Sequence, residues 1–519
     1  MSRLLVLAGL LCVAMAPRAA DPLSARIDQL IAVKAKAVQL SAPADDAEFL
    51  RRVSLDLAGR IPTRDEAATF LADASAGKRA AVIDELLNSP DYPKRMSEQV
   101  HVMFMERLGD HADWSAYLLE SFTKNKPWNV MAKDMLRADA GNPEVKGASY
   151  FLSKRLENYG QQPVDYSALT RDIGRLFLGK DFRCAECHDH LFIDEYKQKD
   201  FKGLFAFVQN AFLNDEKAAS VGEKPLAGKV PFMSVFKKVP KETGPGLPGG
   251  KELEVAVFKK GEEYAKAPDP KAKNPGQLKF SPLTLLSEQV PSKETPDFAR
   301  NMANRIWFLM LGRGLVHPLD LHHAGNPPSH PELLTLLADE FVAHGYDIKW
   351  LIAEIARSKT YQRSSRLPDG VTKAESHLFV TALEKRLAAE QLLASFQTVL
   401  NVKADAAAKA KIMKAFANAP RDPEDEIAPM LKGALFLLND PLVLGWLKPQ
   451  PGNVVDLLSK KADGDLTDDL YLTALSRRPT DQERQTLTVY MKKHGAQRPE
   501  AVARLLWAML ASTEFGINH

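Results

Sequence analysis

Cysteine is almost missing from this chain: 519 residues hold three, Cys12, Cys184 and Cys187. A disulfide-built extracellular scaffold is excluded on that count, because such domains carry many cysteines at varied spacings. An excess of one charge is missing too. The formal net charge is +3, which gives no reason to expect nucleic acid or an anionic membrane as partner. Beyond the first sixteen residues no apolar run approaches the ~20 residues needed to cross a bilayer. Several catalytic signatures are absent as well. There is no Gly-x-Gly-x-x-Gly, no Walker-type Gly-Lys-Ser/Thr, no His-Glu-x-x-His and no nucleophile elbow. The run Asp465-Leu-Thr-Asp-Asp469 lacks the ligand spacing of an EF-hand and reads as a solvated helix start. No catalytic constellation is recognisable.

What is present is ordinary globular material. Hydrophobic residues make up 45% and charged residues 26%, and a chain of this length suggests roughly two to four folded units. The N-terminus has the order of a secretory signal: Arg3, an apolar run from Leu4 to Met15, then the small residues Ala14, Ala16, Ala19 and Ala20. Residues 1–20 are therefore expected to be a signal peptide, and the mature protein periplasmic or secreted with no membrane span. Loss of that leader lowers the net charge to about +1 and removes Cys12. Only Cys184 and Cys187 remain. Two cysteines placed at random in such a chain fall three apart less than roughly one time in a hundred, and His188 directly after them makes chance a poor account.

The texture of the chain predicts a mainly α fold. Residues 21–212 read as successive amphipathic helices, with one stripe at Ile27, Leu30, Ile31 and Val38 and another at Leu169, Ile173, Leu176 and Phe177. Residues 213–289 turn rich in Pro, Gly and Lys, and two short runs, 230–239 and 253–259, have enough β character to suggest a small hairpin. Residues 290–519 return to helical periodicity. We expect two helical domains joined by that middle segment. A helical-hairpin unit recurs three times. Each copy opens with a hydroxyl three residues before Glu (Thr63 and Glu66, Ser329 and Glu332, Thr480 and Glu483), the pattern of a capping box. Each closes with an aromatic three residues after Ser, at Tyr92, Tyr361 and Phe515. These residues are structural. Arg305 and Trp307 stand in an otherwise apolar helical stretch, where a buried and paired arginine is the simplest account.

Phe49-Leu-Arg-Arg-Val-Ser-Leu-Asp-Leu-Ala-Gly-Arg-Ile-Pro-Thr63 resembles the opening of an exported, cytochrome-like domain of unknown function abundant in planctomycetes. Phe177-Leu-Gly-Lys-Asp-Phe-Arg-Cys-Ala-Glu-Cys-His-Asp-His190, followed by Lys199-Asp-Phe-Lys-Gly-Leu-Phe-Ala-Phe207, is similar to its cysteine segment. The second helical region resembles the usual companion domain through Asn304-Arg-Ile-Trp307, Gly312-Arg-Gly-Leu-Val316, 326–334, Leu438-Asn-Asp-Pro441 and 512–519. Leu191, where relatives often place Pro or Lys, and Asp320-Leu-His-His323 depart from the pattern. Long members carry a further cytochrome domain in front, so the resemblance implies at most one redox centre here. It implies fold and export more than any activity.

Three chemistries suit Cys184–His188. Two thiols three apart can add to the two vinyl groups of one haem, with His188 as proximal iron ligand, giving covalent haem c. Candidates for the sixth position are Met103, Met105 and His101, since His190 lies too near His188 to reach the opposite face. Alternatively Cys184, Cys187 and one or both of His188 and His190 form a zinc clip, with His322 and His323 contributing if the two domains touch. A Cys184–Cys187 disulfide is the third possibility. The first reading makes this an exported electron-transfer or redox-accessory protein with an unidentified redox partner, and the others make it a non-redox structural or binding module.

Overall fold

The apolar stripe at 169–177 becomes the helix Tyr166–Leu178 for local reasons. The Asp165 carboxylate accepts the Ala168 amide at the start, Leu169, Ile173, Leu176 and Phe177 are all buried, and Gly179 ends it at φ 68°. Helices of this kind make up most of the molecule, so the fold is mainly α. The computed structural model describes residues 21–519 except 36–37, 138–141, 143, 159 and 423–430. The expected signal peptide, with Cys12, lies outside the described residues.

The recurring unit is real at two of its three starts and at all three ends. Thr63 and Thr480 form reciprocal capping boxes with Glu66 and Glu483. Each Glu also receives an arginine six residues upstream, Arg60 in one copy and Arg477 in the other. The Ser329 expectation is wrong. Pro331 takes the first helical position, so His330 becomes the cap residue, and Ser329 meets the His330 ring instead of an amide. At the closing ends Ser89, Ser358 and Ser512 return their hydroxyls to the carbonyls three residues back. The following aromatics, Tyr92, Tyr361 and Phe515, are at most 1% exposed.

The middle segment contains more order than its composition suggests. Ala211–Asp215 pairs with Ser220–Glu223, Val230–Met233 with Pro240–Thr243, and Tyr264–Lys266 with Gln277–Leu278, all antiparallel. The β run expected at 253–259 is not a strand. Val257 is 84% exposed and the stretch has no ladder partner, so the hairpin closes inside the Lys/Gly/Pro run instead. The last eight residues of the segment form a helix, Pro282–Gln289, that buries Pro282, Leu283 and Leu286.

Two cores divide the side chains, and neither follows the chain order strictly. The larger runs from Leu23 to Phe379, gathering helices from both sides of the middle segment, and takes in Leu472. The second joins Leu387 to Phe515 and recruits Leu55 and Ile61 from the first region. A third, of only Phe182, Ala185, Tyr196 and Phe201, lies directly under the cysteine motif.

Candidate functional site: a Cys-x-x-Cys-His turn

The helix Tyr166–Leu178 delivers the chain to the motif through Gly179. A Cβ at this position would sit 2.7 Å from the His322 ring, in a left-handed conformation that favours glycine. The following residues are pinned to the loop 320–322: Asp181 donates its amide to Asp320, and His322 donates its own to Gly179. Lys180 reaches Asp297 at 2.5 Å. The second helical region thus braces the entry to the motif.

The motif itself is a 3-10 turn, Cys184–Glu186. Ala185 points down and is fully buried among Phe182, Tyr196 and Phe201. Cys184 and Cys187 point out, exposed, and both thiols are free. Glu186 forms an ion pair with Arg171. Gln198 holds the far side by donating its amide to the Glu186 and Met233 carbonyls, and Val235 donates its N–H to the Cys187 carbonyl. The turn is fixed from beneath while its sulfurs face solvent.

The two histidines differ in what their rings can offer. His188 Nδ1 lies 2.7 Å from the Asp189 carbonyl oxygen. A carbonyl only accepts, so in the neutral ring Nδ1 carries the proton and Nε2 keeps a lone pair. His190 is the reverse case. Its Nδ1 accepts the Phe192 and Ile193 amides at 3.2 and 3.0 Å, which places the proton of the neutral ring on Nε2. His190 staples its own loop and has no lone pair to spare for a metal.

This donor set fits a c-type haem: two free, exposed thiols on one turn and an adjacent imidazole in the tautomer that an axial ligand requires. It fits the zinc clip less well. Among the described residues no three Cys, His, Asp or Glu side chains converge to hold a metal ion. The two regions do touch here, as that reading required. His323 meets Tyr196 edge-on, and burial together with the Arg305 guanidinium pushes the His322 imidazole down to about 4. His322 is packed against Gly179 and faces Asn304.

Of the expected sixth ligands, Met105 is fully buried, with the Arg155 guanidinium 3.8 Å from its sulfur. Both nitrogens of His101 are engaged, one by the Trp114 N–H and the other by Asp110. Met103 lines a cleft of about 1550 Å³ whose rim includes Asp181 and Arg183 but neither cysteine.

Two features were not legible in the sequence. One is a group of exposed apolar side chains around the motif: Leu191, Phe192, Met233, Val235 and Phe236. Phe236 packs against the His188 ring at 4.7 Å, centroid to centroid. The other is a charged network beside the cleft. Arg155 and Arg421 converge on Asp172, while Arg175 bridges Asp172, Glu106 and Asp320. Arg305, the paired arginine expected from sequence, completes it at Asp320. Residues 249 apart in the chain meet there, and no local pattern signals that.

The comparisons with known proteins agree with this architecture. Residues 26–212 match the family PSCyt2, described as a protein of unknown function (DUF1549), and residues 284–409 match PSD1, likewise of unknown function (DUF1553). No curated protein and no solved structure matches the chain. The chain thus carries the planctomycete-type pair of domains of unknown function, in this order.

Proposed function

We propose that this is an exported protein that carries one covalently attached c-type haem and serves in electron transfer, directly or as an accessory to a redox partner. The observation that carries the reading is the pairing of two free, outward-facing thiols with an imidazole whose Nε2 is left unprotonated by the Asp189 carbonyl. Cys184 and Cys187 would hold the group by thioethers, and His188 would be the proximal ligand. Bound haem would supply one-electron redox chemistry. The chain's part is to position the imidazole, to keep the turn rigid through buried Ala185, and to offer an apolar surface.

The exposed side chains support the same reading. Phe192 is 89% and Phe236 63% exposed, and apolar groups clustered at one turn call for a large apolar partner. A porphyrin bound at His188 would take part of that surface out of water. The basic, apolar and small-residue order of residues 1–20 supports export, the setting in which covalent haem attachment occurs. No helix among the described residues is long and apolar enough to cross a membrane.

The test is maturation in a host with the c-type assembly machinery, followed by haem staining after denaturing electrophoresis and a pyridine haemochrome spectrum. Wild type should stain. Cys187→Ser should leave a single thioether, and the double change with Cys184→Ser should abolish staining. A colourless wild type that releases about one zinc per chain would overturn the haem and the electron-transfer role with it. N-terminal sequencing of the secreted or periplasmic protein tests export; an intact Met1 in the cytosolic fraction would overturn it.

A further inference from the structure

Exposed apolar side chains are not spread evenly over this molecule. The two exposed phenylalanines among the described residues, Phe192 and Phe236, stand at the cysteine turn with Leu191, Met233, Val235 and Val239. They come from two segments, the loop 189–195 and the tip of the hairpin formed by Val230–Met233 and Pro240–Thr243. Val235 donates its N–H to the Cys187 carbonyl, Phe236 meets the His188 ring, and Phe192 meets the His190 ring. The two segments therefore share one surface. All six side chains are more than half exposed. Together they present several hundred Å² of apolar area, at the limit of what a monomer leaves in water.

The hairpin tip is also closed and basic. Lys238 donates its amide to the Ser234 carbonyl and takes a positive φ, which shapes 234–238 into a single turn. That turn reads Ser-Val-Phe-Lys-Lys and runs into Val239. Lys237, Lys238 and Lys241 are exposed, and their ammonium groups make no hydrogen bond or ion pair among the described residues. The acids of the neighbouring loop and helix bond elsewhere. Glu186 pairs with Arg171 and Asp194 with Lys197. Asp189, Glu195 and Asp200 accept the amides of Gln198, Ala324 and Gly249. At the base of the hairpin Glu252 holds Lys199 and Lys229, and Glu242 and Glu254 act on Lys229 from farther off. The base is matched by acids, while the tip carries lysines without a counter-ion in contact.

We propose that this surface docks the protein onto a membrane containing anionic lipid, with the hairpin tip and Phe192 entering the headgroup layer. Apolar side chains can then leave water, while the long lysine stems keep their ammonium groups at the lipid phosphates. A protein partner is the poorer fit, because lysine is depleted at the centre of protein interfaces. Here Lys237 and Lys238 stand between Phe236 and Val239 in the turn itself. The formal charge of +3 averages over 519 residues and hides a local concentration that anionic lipid would feel. Phe236 lies against His188 and belongs to that site as well. The inference rests on Phe192, Val235, Val239 and the lysines, and does not depend on the haem.

Cosedimentation of the full mature chain with lipid vesicles measures it. One set is phosphatidylcholine alone, and in the other phosphatidylglycerol makes up about a third of the lipid. The chain should bind the mixed vesicles, bind phosphatidylcholine about tenfold more weakly, and release from the mixed set as salt is raised. Lys237→Gln combined with Lys238→Gln should weaken binding to the mixed vesicles about tenfold and change binding to phosphatidylcholine little. Phe192→Ser should weaken both about tenfold, because it removes apolar burial and leaves the charge. These side chains are exposed, so melting curves should match wild type. Val489→Ser removes an exposed apolar group outside this surface and should bind as wild type. The haem-free protein with Cys184→Ser and Cys187→Ser is titrated alongside and should bind the mixed vesicles too, which separates this test from that of the haem. Absence of binding to the mixed vesicles, equal binding to both sets, or an unchanged affinity in the lysine variant overturns the proposal and leaves the surface to a soluble protein partner.

Discussion

Around Asp172, four arginines pair with three carboxylates in one network, while around Cys184 polar groups are tied down and the apolar ones are left in water. Asp172 is buried and takes Arg155 at 2.7 Å and Arg421 at 3.1 Å. Cys184, Cys187, Phe192 and Phe236 are exposed above a core of only four buried side chains. The first region spends its chemistry on holding the two halves of the chain together. The second holds a rigid turn and leaves its reactive atoms outward. Stability and reactivity are separated in space, so changes at the two places should have different readouts.

The largest effect on stability should come from Asp172→Ala, which strands buried Arg155 without its carboxylate. Chemical denaturation should show a loss of about 3–5 kcal/mol. The double change of Cys184 and Cys187 to Ser should instead shift the midpoint of the apoprotein little, within about 0.5 kcal/mol, since exposed thiols carry no packing. A large loss there would erase the contrast.

Gly179→Ala tests the link between the two regions. Its Cβ would meet the His322 ring at 2.7 Å, in a left-handed backbone. A loss of about 2 kcal/mol or more is expected, and it should loosen the entry to the motif enough to raise proteolysis near residues 180–190.

Acidity sharpens the comparison further. Burial raises the Asp172 carboxyl, but Arg155, Arg175 and Arg421 outweigh it and hold it well below its ordinary 3.8. A carboxyl depressed in the folded state stabilises above its unfolded value, and that contribution fades as pH falls toward the folded one. The gap between wild type and Asp172→Asn should therefore stay constant from about pH 8 to about pH 5 and narrow progressively as the pH falls below about 4. A gap that persists into acid would mean that the charge of Asp172 is not what the arginines recognise.

The smallest effects belong to the repeated caps. Thr480→Ala should cost about 1 kcal/mol by removing a capping box, and Thr63→Ala a similar amount. Ser329→Ala should change stability by less than about 0.5 kcal/mol, because the Ser329 hydroxyl caps no amide. Equal losses at all three would restore the threefold repeat expected from the sequence.

Much of the architecture was legible because its causes are local. Helical stripes, the Thr-x-x-Glu caps and the Ser-x-x-aromatic ends each depend on residues within one turn or two of the chain. The third cap failed through an equally local signal, Pro331, which outranks Ser329 by fixing the first helical residue. The β run at 253–259 was misread because strand propensity means little without a partner, and the partner of Val230–Met233 turned out to be Pro240–Thr243.

The sequence by itself determined that this chain is mainly helical, that its two later cysteines and His188 stand close together on one turn, and that Thr63 and Thr480 start helices. Only the tertiary structure decided which histidine has a lone pair to give. His188 and His190 are two residues apart and identical in type, yet one donates to a carbonyl and the other accepts two amides. It also decided that Arg421 meets Asp172. Those outcomes depend on groups brought together from distant parts of the chain, where packing rather than periodicity sets the partner.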